Sequence, residues 1–328
     1  MSWSSFPKIE LHLHHEGAAP PSFIRDLSKE KSIDISKIFK SDGSYAFNDF
    51  THFLQVYEAA TSVLTAPQDY GRLTSAILDE LAENGVVYAE TFLSPDFCGG
   101  GDVSAWRDYL SEIEDAAKQA EQIHGIITKG IITNVRHFGP EAAKPVAICA
   151  AETAGNFIVG YGMGGDESVG HQGDYAWAFD CAREAGLRLT THAGEWGGPE
   201  SIREAIEDLK VERIGHGVAA AQDNALIDTL IEQDITLEVC PGSNVALGLF
   251  PTFADHPLAR LRDAGVKVTV STDDPPFFHT TMTREYEELE RAYGWGEADF
   301  AELNQTALEA AFCNEDTRQT VQAKLETP

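Results

Sequence analysis

The stretch PKIELHLHHEG, residues 7–17, places His12 and His14 at the end of an apolar run that is typical of a buried strand. Alternate residues of a strand face the same side, so these two side chains are predicted to point together from the end of the first strand. A single buried histidine is usually a hydrogen-bonded core residue, but each of two such neighbours needs a partner for its free ring nitrogen. The spacing alone leaves a metal site and a polar core both open.

Short apolar runs alternate with amphipathic segments from one end of the chain to the other. The predicted strands are Ile9–His14, Val86–Phe92, Ile126–Val135, Phe157–Gly162, Leu187–His192, Arg213–His216, Ile235–Cys240 and Val266–Thr272. The predicted helices include Pro67–Asn84, Ala105–His124, Asp174–Ala185, Pro199–Leu209 and Asp223–Gln233. About eight strand–helix units in series predict an α/β fold, a (β/α)8 TIM barrel, with a doubly wound open sheet as the alternative.

Two segments depart from this simple alternation. Residues 18–66 separate the first two strands by more than a normal crossover and contain the helix-like runs PPSFIRDLSKEK and FNDFTHFLQVYEAA. Because this insert follows a strand at the carboxyl end of the barrel, it is predicted to form a helical lid over the mouth. Residues 283–328 are predicted to form extra C-terminal helices. Since no Pro/Gly/Ser-rich linker interrupts the sequence, one domain is predicted over residues 1–328.

The charge of the chain limits its partners. The 328 residues include 53 Asp+Glu against 24 Lys+Arg, a formal net charge of −29, and a chain this acidic repels the phosphate backbone of nucleic acids. The five cysteines are scattered, as in proteins with reduced thiols. The N-terminus lacks the pattern of a signal peptide, and no run approaches the roughly 18 apolar residues of a membrane span. These features predict a cytoplasmic protein without nucleic-acid or membrane partners, and they leave the oligomeric state unknown.

Polar residues also end the later strands. LTTHAGE ends the fifth strand with His192 and places Glu195 just beyond it, RIGHG ends the sixth with His216, and VTVSTDD ends the eighth with Asp273 and Asp274. In a barrel these ends converge on the face where active sites lie, so the side chains are predicted to meet the histidine pair of the first strand. Ligation by several histidines and a carboxylate suits zinc or another first-row divalent metal better than calcium or magnesium.

Five motifs, PKIELHLHHEG, THAGEWGGPESIREAI, ERIGHG, EVCPGSN and STDDPPFF, together resemble the adenosine/adenine deaminase family of the metal-dependent amidohydrolase barrels. They occur in the family's order from about residue 7 to the terminal helices. The resemblance implies a hydrolytic deaminase that acts on a small purine nucleoside or base. It also implies one Zn²⁺ ion, or another first-row divalent metal, held by His12, His14, His192 and Asp273.

The resemblance further implies the catalytic roles of three residues. Glu195 matches the family's proton donor to purine N1, and His216 matches the residue that orients and deprotonates the metal-bound water. Asp273 belongs to the same catalytic group as well as to the ligand set.

Four positions match substrate-binding residues of the family. Asp274 matches the partner of purine N7, and Gly165, in GYGMGGDE, matches the glycine whose backbone N–H meets N3. Glu16 matches the residue that meets the ribose 5′-hydroxyl, and His14 lies beside it. Ser243 and Asn244 follow the seventh strand near the pocket, but the sequence assigns them no role, and His15, which faces the other side by period two, is interpreted as structural.

The substrate is the point on which the motifs disagree. Glu16 and Phe92 stand where adenosine enzymes usually have Asp and Arg, which favours the adenine branch, whereas GHG at 215–217 and STDDPPFF favour adenosine deaminase. Adenosine, with 2′-deoxyadenosine, is the predicted substrate and inosine the product. Adenine, or a modified purine base, is the alternative, with hypoxanthine as product. Amide or ester hydrolysis on the same metal site and a catalytically inactive binding protein remain further alternatives.

Overall fold

The computed structural model describes residues 3–326, in which eight parallel strands form one sheet in the order of the sequence. The strands are β1 (Lys8–His14), β2 (Val86–Leu93), β3 (Ile127–Val135), β4 (Ile158–Gly164), β5 (Arg188–Ala193), β6 (Arg213–His216), β7 (Thr236–Val239) and β8 (Val268–Val270). This sequential order, with the last strand returning to the first, is that of a barrel, whereas a doubly wound sheet reverses its order at a switch point. The barrel prediction is confirmed.

Backbone and side-chain hydrogen bonds close the barrel between β1 and the end of β8. The His14 N–H donates to the Asp273 carbonyl at 3.0 Å, and the Asp273 N–H donates to the His12 carbonyl at 3.1 Å. The Ser271 hydroxyl oxygen accepts from the N–H groups of Leu11 and His12, each at 3.2 Å. The closure therefore fixes Asp273 beside the two histidines that lie farthest from it in the sequence.

Helices cover the outside of the barrel. They are α1 (Pro21–Lys31), α2 (Phe50–Thr61), α3 (Pro67–Glu83), α4 (Val103–His124), α5 (Pro140–Thr153), α6 (Ala176–Glu184), α7 (Gly198–Glu204), α8 (Asn224–Glu232), α9 (Pro241–Ala246), α10 (Leu258–Asp263), α11 (Pro275–Phe278), α12 (Met282–Tyr293), α13 (Glu297–Ala310) and α14 (Glu315–Leu325). Local signals set several helix ends: Asp102 accepts from the Ala105 N–H at 2.8 Å before α4, and Gly125 ends it with a φ of 75°. The sequence did not predict α5, in which Pro145 interrupts the helical pattern.

The predicted insert lies over the mouth of the barrel. Within it α2 packs Phe53 against Phe277 and Phe278 of α11, with ring centroids 5.3 and 5.2 Å apart. The predicted C-terminal helices are α12 to α14, and residues 327–328 of that prediction lie outside the described part of the chain. That the whole chain forms one domain stays a prediction. No helix among the described residues is long and apolar enough to cross a membrane.

A buried ion network fills the barrel below its carboxyl end. Arg213 of β6 is 1% exposed and lies between two buried carboxylates, with 2.7 Å to Glu90 of β2 and 2.6 Å to Glu238 of β7. The guanidinium also lies over the Phe312 ring, 3.6 Å from its centroid. Because each charge of the network faces an opposite charge, the network can remain buried, and it holds Glu238 directly beneath His12.

Candidate active site

The structure brings together the four residues predicted to bind metal. One ligand atom from each of His12, His14, His192 and Asp273 lies within 4.8 Å of every other. Asp273 Oδ1 is 3.4 Å from His12 Nε2 and 3.3 Å from His14 Nε2, and the Nε2 atoms of His14 and His192 are 3.0 Å apart. These atoms come from β1, β5 and the end of β8, as the convergence of strand ends predicts.

Neighbouring acceptors orient two of the imidazoles. His12 Nδ1 lies 2.8 Å from Glu238 Oε2, and His192 Nδ1 lies 2.8 Å from the Met163 carbonyl oxygen. Each Nδ1–H therefore donates outward, which leaves the Nε2 lone pair directed at the cluster, the arrangement that metal-binding histidines normally have. Sequence reasoning missed Glu238, although the residue lies in the EVCPGSN motif.

The cluster has the properties of a metal site. His12 Nε2 is buried and has no hydrogen-bond partner among residues 3–326. A buried polar atom without a partner is costly, and a cation coordinated by that nitrogen would remove the cost. Three imidazole nitrogens and one carboxylate match the ligands of catalytic zinc and related first-row metals.

A hydrogen bond from Ser243 and an unusual backbone conformation hold Asp273 in position. Its Oδ2 accepts a hydrogen bond from the Ser243 hydroxyl at 2.6 Å, which leaves Oδ1 facing the histidines. Its backbone φ of 68° is left-handed, as is that of His216 at 61°. Such a conformation costs a residue other than glycine about 1–3 kcal/mol and is common at functional sites. Ser243 thus has a contact that the sequence did not predict.

Glu195 and His216 face the same pocket and share one partner, Asn244. The Asn244 amide Nδ2 donates to Glu195 Oε1 at 3.2 Å and lies 3.3 Å from His216 Nδ1. The orientation of this amide follows from its oxygen, which accepts from His256 Nε2 at 3.1 Å. With Nδ1 of His216 accepting, its Nε2 carries the hydrogen and points toward Asp273, 3.9 Å from Oδ2.

Burial and neighbouring charge set the protonation of this pair. Burial, together with the negative charges of Asp273 and Glu167, raises the pKa of Glu195 well above its usual range. Burial lowers the pKa of His216 to about 3. These shifts favour the protonated form of Glu195, which can donate a proton, and the neutral form of His216.

Glu167 anchors the loop that carries Glu195. Its Oε1 accepts from the Gly194 N–H and from the Ser201 hydroxyl, and its Oε2 accepts from the N–H groups of Trp196 and Gly197 at 2.6 and 2.9 Å. Glu167 is only 5% exposed. Four donors on one buried carboxylate fix the backbone on both sides of Glu195. The sequence showed Glu167 only as part of GYGMGGDE, without this role.

The predicted purine-binding residues Gly165 and Asp274 line one pocket together with Glu195 and His216. Asp274 is 3% exposed, and its Oδ1 has no hydrogen-bond partner among the described residues. Burial and the Asp273 charge raise the pKa of Asp274 well above its usual range. Gly165 has a φ of 105°, and a Cβ atom there would lie 2.7 Å from His137 Nδ1, so only glycine fits.

Glu16, the residue predicted to meet a ribose hydroxyl, is buried beside two tyrosines. It is 2% exposed, and its two carboxylate oxygens accept hydrogen bonds from the Tyr70 hydroxyl at 3.0 Å and the Tyr57 hydroxyl at 3.3 Å. Tyr57 lines the pocket. A contact between Glu16 and substrate stays a prediction that these hydrogen bonds do not favour.

His15 lies outside the histidine cluster, whereas Phe92 packs against it. His15 points away from the metal cluster, with Nε2 2.9 Å from the Thr74 hydroxyl of α3. Phe92 is buried against the rings of His12 and His14, with centroids 4.7 and 5.0 Å apart. Phe92 therefore forms an apolar wall of the histidine cluster.

The pocket combines four candidate metal ligands with Glu195 and further buried polar groups, and sequence comparison identifies the family of the chain. A family model described as adenosine deaminase matches residues 7–328. The chain belongs to the adenosine deaminase family. As a member of that family it is a hydrolytic deaminase, which confirms the resemblance and the predicted type of enzyme.

Two adenine deaminases and a solved amidohydrolase are similar to this chain. An adenine deaminase from Agrobacterium fabrum is 46% identical over 319 residues, which cover 97% of this chain and 97% of that protein. The crystal structure of an adenine deaminase from Arthrobacter aurescens is 30% identical with a TM-score of 0.89, covering 97% of this chain and 98% of that one. An amidohydrolase from Burkholderia ambifaria, with bound Zn, is 24% identical with a TM-score of 0.86, covering 98% and 90%, and shows the same fold. Among the deaminases, the names favour the adenine alternative over the adenosine prediction.

Proposed function

We propose that this deaminase converts adenine to hypoxanthine and ammonia with the help of one Zn²⁺ ion. The observation that carries the proposal is the meeting, in one pocket, of the His12, His14, His192 and Asp273 cluster with the acid Glu195. Hydrolysis at C6 needs an activated water, and it needs a proton on N1 as the ring loses its aromaticity. The pocket has groups suited to both requirements.

The ligand set suits the activation of water. A zinc ion held by these four residues would supply an activated water, because such an ion lowers the pKa of a bound water from 15.7 to about 7. His216 is neutral, and its Nε2–H points toward Asp273, where it can donate to the attacking water and orient it. The Asn244 contact favours the tautomer of His216 with its hydrogen on Nε2, which suits orientation of the water. Removal of the water's proton by His216 stays a prediction.

Glu195 supplies the proton for N1. Because Asn244 donates to its Oε1, the acidic hydrogen belongs on Oε2, the oxygen left for the substrate. General acid catalysis of this kind contributes about 10²–10⁴-fold. Water adds to C6 as N1 is protonated, and one proton of that water passes to the amino nitrogen. The C6–N bond then breaks, ammonia leaves, and the remaining hydroxyl proton restores the Glu195 carboxylic acid as C6 becomes a carbonyl.

Two groups suit the remaining ring nitrogens of adenine. Asp274 Oδ1, which lacks a partner among the described residues, is proposed to meet N7, and the Gly165 N–H is proposed to donate to N3. Adenine N7 is an acceptor, so it pairs with the protonated form of Asp274. His14 borders the same pocket as a ligand and contact residue.

The choice of adenine over adenosine rests on two supports. Relatives that are 42–46% identical over nearly the whole chain have the name adenine deaminase. In addition, Glu16, the residue predicted to receive the ribose 5′-hydroxyl, already accepts hydrogen bonds from Tyr57 and Tyr70. Adenosine was the substrate that the sequence predicted, and both supports favour the alternative.

Product analysis tests this proposal. Zinc-loaded protein incubated with adenine should release hypoxanthine and ammonia in equal amounts, identified by chromatography and an ammonia assay. Protein stripped with a chelator should lose this activity and regain it when Zn²⁺ is added back. Release of no ammonia from adenine by the zinc-loaded protein would contradict the proposal.

A further inference from the structure

We propose that Tyr57 is the specificity-determining residue of this pocket, because it covers the Glu16 carboxylate and thereby selects the free purine base over the nucleoside. The inference rests on the proposed function and assigns its substrate class to a particular side chain. Tyr57 belongs to α2, the insert helix over the barrel mouth, and lines the pocket. Its hydroxyl donates to Glu16 Oε2 at 3.3 Å.

A carboxylate that faced this pocket would recognise a hydroxyl-bearing substrate. The oxygens of a carboxyl group accept hydrogen bonds, and the hydroxyl groups of ribose are donors that would fit them. Glu16 lies two residues after the ligand His14, yet it is 2% exposed, and both of its oxygens already have tyrosine partners. The ring of Tyr57 therefore lines the pocket at a place where the Glu16 carboxyl group would otherwise be exposed.

The part of the insert helix that lines the pocket is mostly apolar. Phe50, Phe53 and Leu54 of α2 form an apolar wall. Two polar side chains nearby contact each other, with Glu58 Oε1 3.4 Å from His137 Nε2. Burying sugar hydroxyls against such a wall without hydrogen bonds is unfavourable, whereas a flat base needs partners only at its ring nitrogens and amino group.

Packing holds Tyr57 in this position. Its ring centroid lies 6.0 Å from that of Phe277, 6.0 Å from Phe97 and 6.1 Å from Phe53. The Glu58–His137 contact also ties α2 to the end of β3. These contacts hold the ring of Tyr57 beside Glu16.

The test compares adenosine with adenine, as the ratio of their kcat/KM values, in Tyr57→Ala and Tyr57→Phe. We expect Tyr57→Ala to raise the adenosine-to-adenine ratio by about tenfold or more, because it opens space and exposes the Glu16 carboxylate. Tyr57→Phe removes only the hydroxyl and should raise the ratio in the same direction by about threefold or more. The matched control is Tyr45→Phe, which removes another buried hydroxyl of the insert, one that donates to the Ala19 carbonyl at 2.9 Å, and should leave the ratio unchanged.

A second comparison tests whether Glu16 is the group that Tyr57 covers. In Tyr57→Ala, adenosine should be a better substrate than 5′-deoxyadenosine by about tenfold. This difference should disappear in the double variant Tyr57→Ala/Glu16→Ala, which has no carboxylate to receive the hydroxyl.

The outcomes separate the inference from the proposed function. A wild-type enzyme that prefers adenine, combined with unchanged ratios in both Tyr57 variants, would overturn the inference and leave the proposed function standing. A gain in adenosine activity that persists in the double variant would also overturn it, because opening of space alone would then explain the gain. A wild-type enzyme that prefers adenosine would overturn both. If Tyr57→Ala does not fold, the ratio in Tyr57→Phe decides.

Discussion

Replacing Glu238 with glutamine tests how the barrel interior prepares the metal site. One oxygen of Glu238 accepts from His12 Nδ1 at 2.8 Å, and the other accepts from the Thr190 hydroxyl at 2.9 Å and from Arg213 Nε at 2.6 Å. Both oxygens thus face donors. A glutamine has only one oxygen, so its NH₂ group must oppose a donor whichever way the amide is turned.

The expected effect is a weaker metal site. If the NH₂ group faces His12, it favours the tautomer with hydrogen on Nε2, the nitrogen that should bind metal; if it faces Arg213, the network that holds the side chain is broken. Loss of such an outer partner typically lowers metal affinity about 10–100-fold, which is about 1.4–2.7 kcal/mol. We expect this loss in Glu238→Gln, measured as the Zn²⁺ dissociation constant of stripped protein in competition with a chromophoric chelator.

Glu90→Gln provides the matched control for this experiment. Glu90 pairs with the opposite side of Arg213, at 2.7 Å, and makes no hydrogen bond to His12. Both variants should unfold at lower urea concentration, because each leaves a buried donor unsatisfied at a cost of about 1–3 kcal/mol. Only Glu238→Gln should lose metal affinity. Equal Zn²⁺ affinity in Glu238→Gln and wild type, or an equal loss in Glu90→Gln, would refute the reasoning.

Three further outcomes follow from the other groups of the site. Glu195→Gln should lower kcat by about 100-fold or more with its zinc content unchanged by metal analysis, and a rate above a tenth of wild type would show that Glu195 is not the proton donor. Because burial raises the pKa of Glu195 and its protonated form is the active one, kcat/KM should fall as pH rises through that pKa; a rate that keeps rising in alkaline buffer would contradict this role. Glu167→Gln should lower kcat about tenfold or more, and Ser201→Ala, which removes one of the four donors to Glu167, should have a smaller effect. Equal steady-state constants in Glu167→Gln and wild type would show that Glu167 does not position the Glu195 loop.

The periodicity of the sequence predicted much of the fold and the clustering of the four candidate metal ligands. Strand residues alternate between faces, and barrel strands converge at one end, so the sequence alone predicted that His12, His14 and His192 lie together. Asp273 was found by the same reasoning, although it lies beyond the last residue of β8 and depends on a left-handed backbone and on barrel closure for its position.

The supporting residues could not be predicted, because their contacts join distant strands and loops. Glu238 meets His12 only when β7 and β1 face each other across the barrel, and Glu167 meets the Glu195 loop across the ends of β4 and β5. Side-chain type alone does not reveal such pairs. A signal was present in each case, since an acidic residue within or beside a buried strand needs a donor.

The adenosine prediction rested on GHG and STDDPPFF, whereas Glu16 favoured adenine, and Glu16 is the position about which the structure adds most. From the sequence, a glutamate after the histidine pair is a free acceptor at the pocket. In the folded chain two tyrosines, Tyr57 from the insert and Tyr70 from α3, reach its carboxylate. Tyr57 and Tyr70 lie 41 and 54 positions after Glu16 in the sequence. Only the packing of the folded chain therefore reveals the two contacts.

Steady-state kinetics of the zinc-loaded wild-type protein with adenine and with adenosine, side by side, test the central claim most directly. Adenine should have the higher kcat/KM, with hypoxanthine as the product, because the site that would bind a ribose hydroxyl is covered by Tyr57. A higher kcat/KM for adenosine, with inosine as the product, would contradict the account.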